Sequence, residues 1–133
     1  MDKVRLGRTD IEVSAVGLGC GGHSRLGLAK GMSNAHAADV VRAALDLGVT
    51  FVDTARAYGT EEAVGMALKG RRAGVFLSTK ASAGRPGEGL SAAALTESLD
   101  GSLKRLGTDY VDVFHLHGVP EPLYPHCVDV LLP

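Results

Sequence analysis

The apolar positions of this chain follow two patterns that alternate along its length. Short, nearly continuous apolar runs recur, and such runs are typical of strands buried on both faces of a parallel sheet. Four of them stand at residues 15–20 (AVGLGC), 49–55 (VTFVDTA), 75–80 (VFLSTK) and 109–118 (DYVDVFHLHG). Between neighbouring runs lie segments with helix signals. The pattern therefore predicts four strands with a helix after each of the first three.

Start and stop signals support these three helices. Each begins after a residue whose side chain can accept a hydrogen bond from the first turn, and two are followed by a glycine suited to a helix end. The predicted caps are Ser33 or Asn34, Thr60 and Ser91, and the glycines are Gly48 and Gly107. Glu61 and Glu62 fall in the first turn of the second helix, where the helix dipole favours negative charge. The third helix is the clearest, with Leu95, Leu99, Leu103 and Leu106 at helical spacing.

Strands that alternate with helices predict an α/β fold, in which helices cover a parallel sheet and the crossovers are right-handed. Residues 4–14 (VRLGRTDIEVS) alternate around a turn and predict a β-hairpin before the first strand. Residues 121–133 (EPLYPHCVDVLLP) predict a loop and the first turns of a fourth helix. We expect residues 1–133 to form a single domain or part of one.

Charge and composition narrow the range of partners. The 133 residues carry 14 basic and 15 acidic side chains, so the net charge of -1 predicts neither nucleic-acid nor anionic-membrane binding. No run approaches the ~20 apolar residues of a membrane span, and the N-terminus has no apolar leader, so the expected location is the cytoplasm. Cys20 and Cys127 lie far apart and are interpreted as free thiols.

Polar residues at the ends of the predicted strands are the candidates for chemistry. In parallel α/β folds, ligands bind at the carboxyl ends of the strands. Asp53 ends the second strand, Lys80 ends the third, and His117 lies close to the end of the fourth; Tyr58 follows in the loop after Asp53. We expect these four side chains to meet at one rim of the sheet.

Taken singly, each of these residues has an ordinary structural interpretation. Asp53 could form a turn or cap a helix, Lys80 could be a solvated charge, Tyr58 a half-buried loop aromatic, and His117 a satisfied core histidine. Together they predict a proton-transfer site. An ammonium group beside a tyrosine favours the phenolate form and makes the hydroxyl a better acid. Asp53 would fix the charged Lys80, and His117 would orient a substrate carbonyl.

Four longer motifs resemble the aldo-keto reductase family. They are LGRTDIEVSAVGLGCGG, GVTFVDTARAYGTEEAVGMAL, FLSTK and SLKRLGTDYVDVFHLHG, which follow one another in the order and spacing of that family. The resemblance implies a (β/α)8 barrel that uses NADPH, or NADH in some members, to reduce aldehydes and ketones or to oxidise alcohols. It also implies that Asp53, Tyr58, Lys80 and His117 are catalytic, and that Cys20, Gly21 and Asp53 contact the cofactor.

The length of the chain accommodates only part of such a barrel. A (β/α)8 barrel takes about 250 residues, so four strand-helix units correspond to its first half. We therefore expect a partial TIM barrel, truncated within the fourth helix, whose first and fourth strands are open edges. Open edges favour pairing with another strand. The prediction is that the isolated chain forms a homodimer through these edges, aggregates, or has no activity.

Three other functions fit parts of the sequence. GLGCGG at residues 17–22 matches a Rossmann dinucleotide fingerprint, although no helix opens directly after it. His115 and His117 alternate along a strand and could ligate a metal with Asp53 or His23 in a hydrolase; the resembling family often has leucine at the position of His115. The chain could also be a non-catalytic binding or regulatory subunit, since a fold does not fix a function.

Overall fold

The structure, a computed structural model, describes residues 1–85 and 87–131. The strands are β1 (Lys3–Arg5), β2 (Glu12–Ser14), β3 (Leu18–Gly19), β4 (Phe51–Asp53), β5 (Phe76–Ser82), β6 (Gly84–Arg85), β7 (Glu88–Gly89) and β8 (Val113–His117). The α-helices are α1 (Asn34–Asp46), α2 (Glu61–Leu68), α3 (Ala92–Leu106) and α4 (Tyr124–His126). Short 3-10 segments occupy Arg25–Lys30, Arg56–Tyr58, Arg72–Gly74 and Glu121–Leu123, and a π-helical turn covers Cys127–Leu131.

The central sheet has the order β3-β4-β5-β8, and all of its neighbouring strands are parallel. The predicted α/β fold is therefore confirmed. In the described part of the chain the sheet has four strands and does not close into a barrel. The predicted N-terminal hairpin is also present, because β1 and β2 pair antiparallel with Val4 opposite Val13.

Several element boundaries differ from the sequence prediction. The first strand of the central sheet is confined to Leu18–Gly19, whereas β5 extends past Lys80 to Ser82. A small antiparallel hairpin of β6 and β7 follows β5 and was not predicted. Strands this short lack the alternation of apolar and polar residues by which sequence patterns identify a strand. Helical turns after Pro120 agree with the predicted fourth helix, although residues 132 and 133 lie outside the described part.

Two of the predicted caps are confirmed and one is wrong. The hydroxyls of Ser33 and Ser91 each accept a hydrogen bond, at 3.2 Å, from a backbone N–H in the first turn of the helix that follows. Thr60 precedes α2 as expected, but its side chain does not cap that helix. Its hydroxyl pairs instead with the hydroxyl of Thr54, 2.8 Å away. Both residues are fully buried, and buried hydroxyls need a partner.

The main core lies between the sheet and the helices α1, α2 and α3. Val52 and Leu77 project from the sheet into a cluster with Val41, Val64 and Leu106 of the three helices, and all five are at most 1% exposed. A second cluster packs the C-terminal turns against the sequence following β5, through Ala83, Leu123, Cys127 and Leu131. No helix in residues 1–85 and 87–131 has the length and apolar character needed to cross a membrane.

Candidate active site

The face of the sheet opposite the main core carries most of the predicted site residues. Side chains alternate along a strand, so Asp53 projects away from the face on which Val52 is buried. Parallel pairing sets Asp53 beside Ser78, Lys80 beside His115, and Ser82 beside His117. Tyr58 follows β4 in the short 3-10 segment. The structure thus brings Asp53, Tyr58, Lys80 and His117 together at the carboxyl ends of the strands.

Lys80 is held by two acceptors on the neighbouring strand. Its Nζ donates to Oδ2 of Asp53 at 2.5 Å and to the carbonyl oxygen of Thr54 at 2.9 Å. The Lys80 side chain is 16% exposed and that of Asp53 is 33% exposed. The other carboxylate oxygen of Asp53 accepts from the hydroxyl of Ser78 at 2.5 Å. The ammonium is therefore fixed in position, while the carboxylate remains accessible from the rim.

The Tyr58 ring contacts the other site residues through its faces and edges. Lys80 Nζ lies 5.1 Å from the ring centroid, within the range of a cation-π interaction. The His117 ring packs edge-to-face on it, with centroids 5.3 Å apart and planes at 89°. On a further side the ring meets the backbone of Gly21, where an added Cβ would lie 2.9 Å from Cε2 and Cζ. Any side chain at position 21 would therefore displace the Tyr58 ring from this position.

Cys20 lies next to this group, but its thiol belongs to the core. Its backbone N–H donates to the Asp53 carbonyl oxygen at 2.8 Å, and the side chain is fully buried. Burial raises the pKa of the Cys20 thiol to about 12; the Asp53 carboxylate adds to this rise and the Lys80 ammonium opposes it. The side chain is thus a neutral thiol at physiological pH, and the whole residue is shielded from the rim.

A cavity of about 590 Å³ borders the site on the side of Lys80 and His117. It is lined by Arg56, Ala57, Lys80, Ser82, Leu90, Ala94, Ser98, His117 and Gly118. Asp53 and Tyr58 are not part of this lining. The cavity reaches from the segment after β4 across the ends of β5 and β8 to the first half of α3.

The alternative sites find less support in the geometry. His115 shares the face of His117, as predicted, and is exposed. Within residues 1–85 and 87–131, no three His, Cys, Asp or Glu side chains come together as a set of metal ligands. The glycines of residues 17–22 lead into the 3-10 segment Arg25–Lys30, and α1 begins only at Asn34. The glycine turn therefore does not open a helix, as a Rossmann fingerprint requires.

The sequence interpretation missed residues that support the site and, on the opposite face of the sheet, a residue that supports the fold. Ser78 stands two residues before Lys80 on the same strand face, so strand alternation could have indicated it. The contribution of Thr54 is its backbone carbonyl, for which the sequence carries no signal. Glu61, predicted only as a favourable charge in a first turn, is 1% exposed. Its carboxylate accepts from Thr79 Oγ at 2.7 Å and from Arg105 Nε at 2.6 Å.

Comparison with known proteins assigns this chain to a class. The family model of the aldo/keto reductases matches residues 16–131, and the chain belongs to this family of oxidoreductases. The resemblance found in the sequence motifs is confirmed.

Individual relatives are similar over most of this chain. Aldo-keto reductase YhdN of Bacillus subtilis (strain 168) is 39% identical over 136 residues, which cover 94% of this chain and 40% of that protein. L-galactose dehydrogenase of Arabidopsis thaliana is 38% identical over 121 residues, covering 86% of this chain and 37% of that protein. The chain thus spans about 40% of the length of the curated relatives it matches.

Solved structures show the same relationship. The holo form of aldo-keto reductase AKR11C1 from Bacillus halodurans superposes with a TM-score of 0.75 and 35% identity, over 92% of this chain and 43% of that chain. The Bombyx mori aldo-keto reductase AKR2E4 in complex with NADP superposes with a TM-score of 0.68 and 25% identity, over 86% of this chain and 37% of that chain. The predicted partial TIM barrel is therefore confirmed as the fold of the chain.

Proposed function

We propose that this chain carries the proton-transfer site of an oxidoreductase that interconverts aldehydes or ketones and alcohols with NADPH, or with NADH. The observation that supports this most directly is the placement of the Lys80 ammonium, fixed by Asp53 and Thr54, 5.1 Å from the centre of the Tyr58 ring. A fixed positive charge beside a phenol stabilises the phenolate that remains after the proton has left.

Each of the four residues has a distinct role in this proposal. Tyr58 donates its hydroxyl proton to the carbonyl oxygen of the substrate during reduction and takes a proton back in the reverse direction. Lys80 stabilises the resulting phenolate, and Asp53 holds Lys80 in place. His117, packed edge-on against the Tyr58 ring, orients the carbonyl oxygen. His115 has no role in this proposal.

The proposed cofactor contacts fit the geometry on one side of Tyr58. Gly21 is half-buried and packs against the Tyr58 ring, and the Asp53 carboxylate is 33% exposed. We propose that Gly21 and Asp53 contact the cofactor directly, whereas Cys20, which is fully buried, acts indirectly through the hydrogen bond from its backbone N–H to the Asp53 carbonyl oxygen. When bound, the nicotinamide supplies the hydride for the carbonyl carbon. The Bombyx mori relative in complex with NADP supports NADPH as the first cofactor to test.

Replacing the Tyr58 hydroxyl tests this function. The Tyr58→Phe variant should lose carbonyl-dependent oxidation of NADPH by at least about a hundredfold, since general acid catalysis contributes roughly 10²–10⁴ in rate. Its affinity for NADPH, measured by fluorescence titration, should remain within about twofold because the ring that packs on Gly21 is retained. Turnover and affinity are compared with the unmodified chain for both NADPH and NADH.

Tyr124→Phe is the matched control, because Tyr124 is 64% exposed and lies in α4, outside the site. It should behave as the unmodified chain in both measurements. Equal loss of turnover in the two variants, or full turnover in Tyr58→Phe, would refute the assignment of Tyr58.

A second candidate is a non-catalytic unit of the same fold. The outer edges of β3 and β8 have no strand partner in the described part of the chain. We propose that residues 1–133 act as one partial barrel domain, and pairing with a second copy along these edges stays a prediction. A concentration-dependent dimer in sedimentation velocity, together with no cofactor binding, would favour this candidate. A dispersed monomer that binds NADPH would contradict it.

A further inference from the structure

The cavity beside Lys80 and His117 is lined by basic but not by acidic side chains. Arg56 and Lys80 both border it, and its lining contains no Asp or Glu. The two cations differ in whether an acidic side chain pairs with them. Lys80 is paired with Asp53 at 2.5 Å, whereas Arg56 makes no side-chain hydrogen bond or ion pair with the described residues. Arg56 is exposed, and its guanidinium contributes to this cavity a positive charge that no side chain of the described residues neutralises.

The acidic residues nearest to Arg56 along the chain are engaged elsewhere. Arg56 also borders a smaller cavity of about 180 Å³ with Glu61 and Glu62. Glu61 accepts hydrogen bonds from Thr79 and Arg105, and Glu62 accepts from Asn34 Nδ2 at 3.0 Å. Neither glutamate forms an ion pair with Arg56, so this arginine is available to an anion from outside the chain.

The remaining lining matches a small organic molecule. Leu90, Ala94 and Ala57 supply apolar surface, and Ser82 and Ser98 supply hydroxyls. A volume of about 590 Å³ falls within the range of pockets that hold small ligands. An arginine guanidinium also binds carboxylates through two parallel hydrogen bonds, which fixes the orientation of the ligand.

We propose that this cavity binds carbonyl substrates that carry a carboxylate, with the Arg56 guanidinium as the group that recognises the carboxylate. The inference rests on the proposed function and adds the substrate class. A carboxylate held by Arg56 places the remainder of the molecule against Lys80 and His117, the two lining residues that also contact the Tyr58 ring. Arg56 is then a specificity-determining residue that takes no part in proton transfer.

A matched ligand pair tests the proposal by direct binding. We would titrate 4-acetylbenzoate and its uncharged methyl ester into the ¹⁵N-labelled chain and follow the amide signals of Ala57 and Gly118, which line the cavity. The carboxylate should bind about tenfold more tightly than the ester, as expected for charge-assisted hydrogen bonds in a partly open site. In Arg56→Gln this preference should fall to less than about threefold. Arg5→Gln, an exposed arginine in β1 outside the cavity lining, controls for the loss of one positive charge and should retain the preference.

The outcomes separate this inference from the proposed function. Equal binding of acid and ester, binding of neither, or a preference that survives Arg56→Gln would each overturn the inference. Selective binding of the acid without NADPH-dependent turnover would contradict the proposed function and leave the carboxylate site in place. Turnover of acid and ester with equal kcat/KM would support the function and overturn the inference.

Discussion

Two ion pairs on opposite faces of the same strand have different surroundings in this protein. Ser78 and Thr79 are consecutive residues of β5 and therefore point to opposite sides of the sheet. Ser78 donates to Asp53, which pairs with Lys80 at the candidate active site. Thr79 donates to Glu61, which pairs with Arg105 among the helices.

The two pairs differ in which partner is more buried: the carboxylate in the Glu61–Arg105 pair, where Arg105 is 33% exposed, and the cation in the Asp53–Lys80 pair, where Lys80 is 16% exposed. We call the first the buried pair, after its carboxylate, and the second the rim pair. The Glu61 carboxylate is 1% exposed, so both of its oxygens are satisfied from within the protein by Thr79 and Arg105. The Asp53 carboxylate is 33% exposed and can still meet a ligand or water. The buried pair joins α2 and α3 to the sheet, whereas the rim pair holds one ammonium in position. An ion pair supported by a hydroxyl therefore stabilises the fold on one face of the sheet and positions Lys80 in the candidate site on the other face.

Removal of Arg105 should produce the largest loss of stability. Arg105→Met leaves the sealed carboxylate of Glu61 without its cation and should lower the free energy of unfolding by about 3 kcal/mol. The corresponding change at the rim, Lys80→Met, should cost only about 1 kcal/mol, because water can reach Asp53. Urea denaturation followed by circular dichroism measures both values.

Arg71→Met provides the control for loss of an arginine. Arg71 forms an ion pair with Asp46 in which the arginine side chain is 48% exposed and the aspartate side chain 62%. This variant should change stability by less than about 0.5 kcal/mol. Equal costs at Arg105 and Lys80 would contradict the distinction between the two ion pairs.

A methyl group at Gly65 should disturb the helix contact beside the buried pair. An added Cβ would lie 2.5 Å from the Leu106 carbonyl oxygen and 2.9 Å from that of Arg105, and backbone atoms cannot move aside singly. Gly65→Ala should therefore destabilise the protein by about 2 kcal/mol, despite the better helix propensity of alanine.

Gly101→Ala is the matched helical control. There the nearest atom to an added Cβ is Arg105 Nη1 at 3.2 Å, which need shift by only a few tenths of an ångström while Nε keeps its bond to Glu61. This variant should be neutral or more stable by up to about 1 kcal/mol. If thermal unfolding shows the same shift for both alanine variants, the close approach of α2 and α3 does not limit stability.

Alkaline pH should weaken the protein through Cys20, which lies next to the rim pair. Burial raises the pKa of this thiol from 9.0 to about 12 in the folded protein. Between these values the unfolded chain has lost the proton while the folded chain retains it. The free energy of unfolding therefore falls as pH rises, by at most about 1.4 kcal/mol per pH unit from this group.

Other groups also titrate in this range, so the measurement is the difference between the unmodified chain and Cys20→Ala from pH 8 to roughly pH 11, the span that brackets the thiol titration. The variant should lose less stability per pH unit. Cys127→Ala controls for removal of a buried cysteine. If the slope of the free energy of unfolding against pH changes equally in both variants, the effect does not originate at Cys20.

The sequence determined the parts of this protein that depend on local spacing. Alternating strand and helix patterns, the caps at Ser33 and Ser91, and the helix end at Gly107 all rest on hydrogen bonds within a few residues, so they could be predicted. The position of polar residues at the carboxyl ends of β4, β5 and β8 also predicted that they would meet at one rim. The family motifs then assigned a chemistry to them.

Only the tertiary structure decided which partner each polar group has. Thr60 is predicted from the sequence to cap α2, but its hydroxyl pairs with that of Thr54. Glu61 is predicted only as a favourable first-turn charge, but it is buried and bonded to Thr79 and Arg105. Nothing in the sequence around Gly65 indicates that the end of α3 packs against it. These outcomes depend on atoms that lie far apart along the chain and meet only after the helices pack on the sheet. The carboxylate of Asp53 acquires its proposed role in the same way, because β4 and β5 pair in the register that brings Lys80 within 2.5 Å of it.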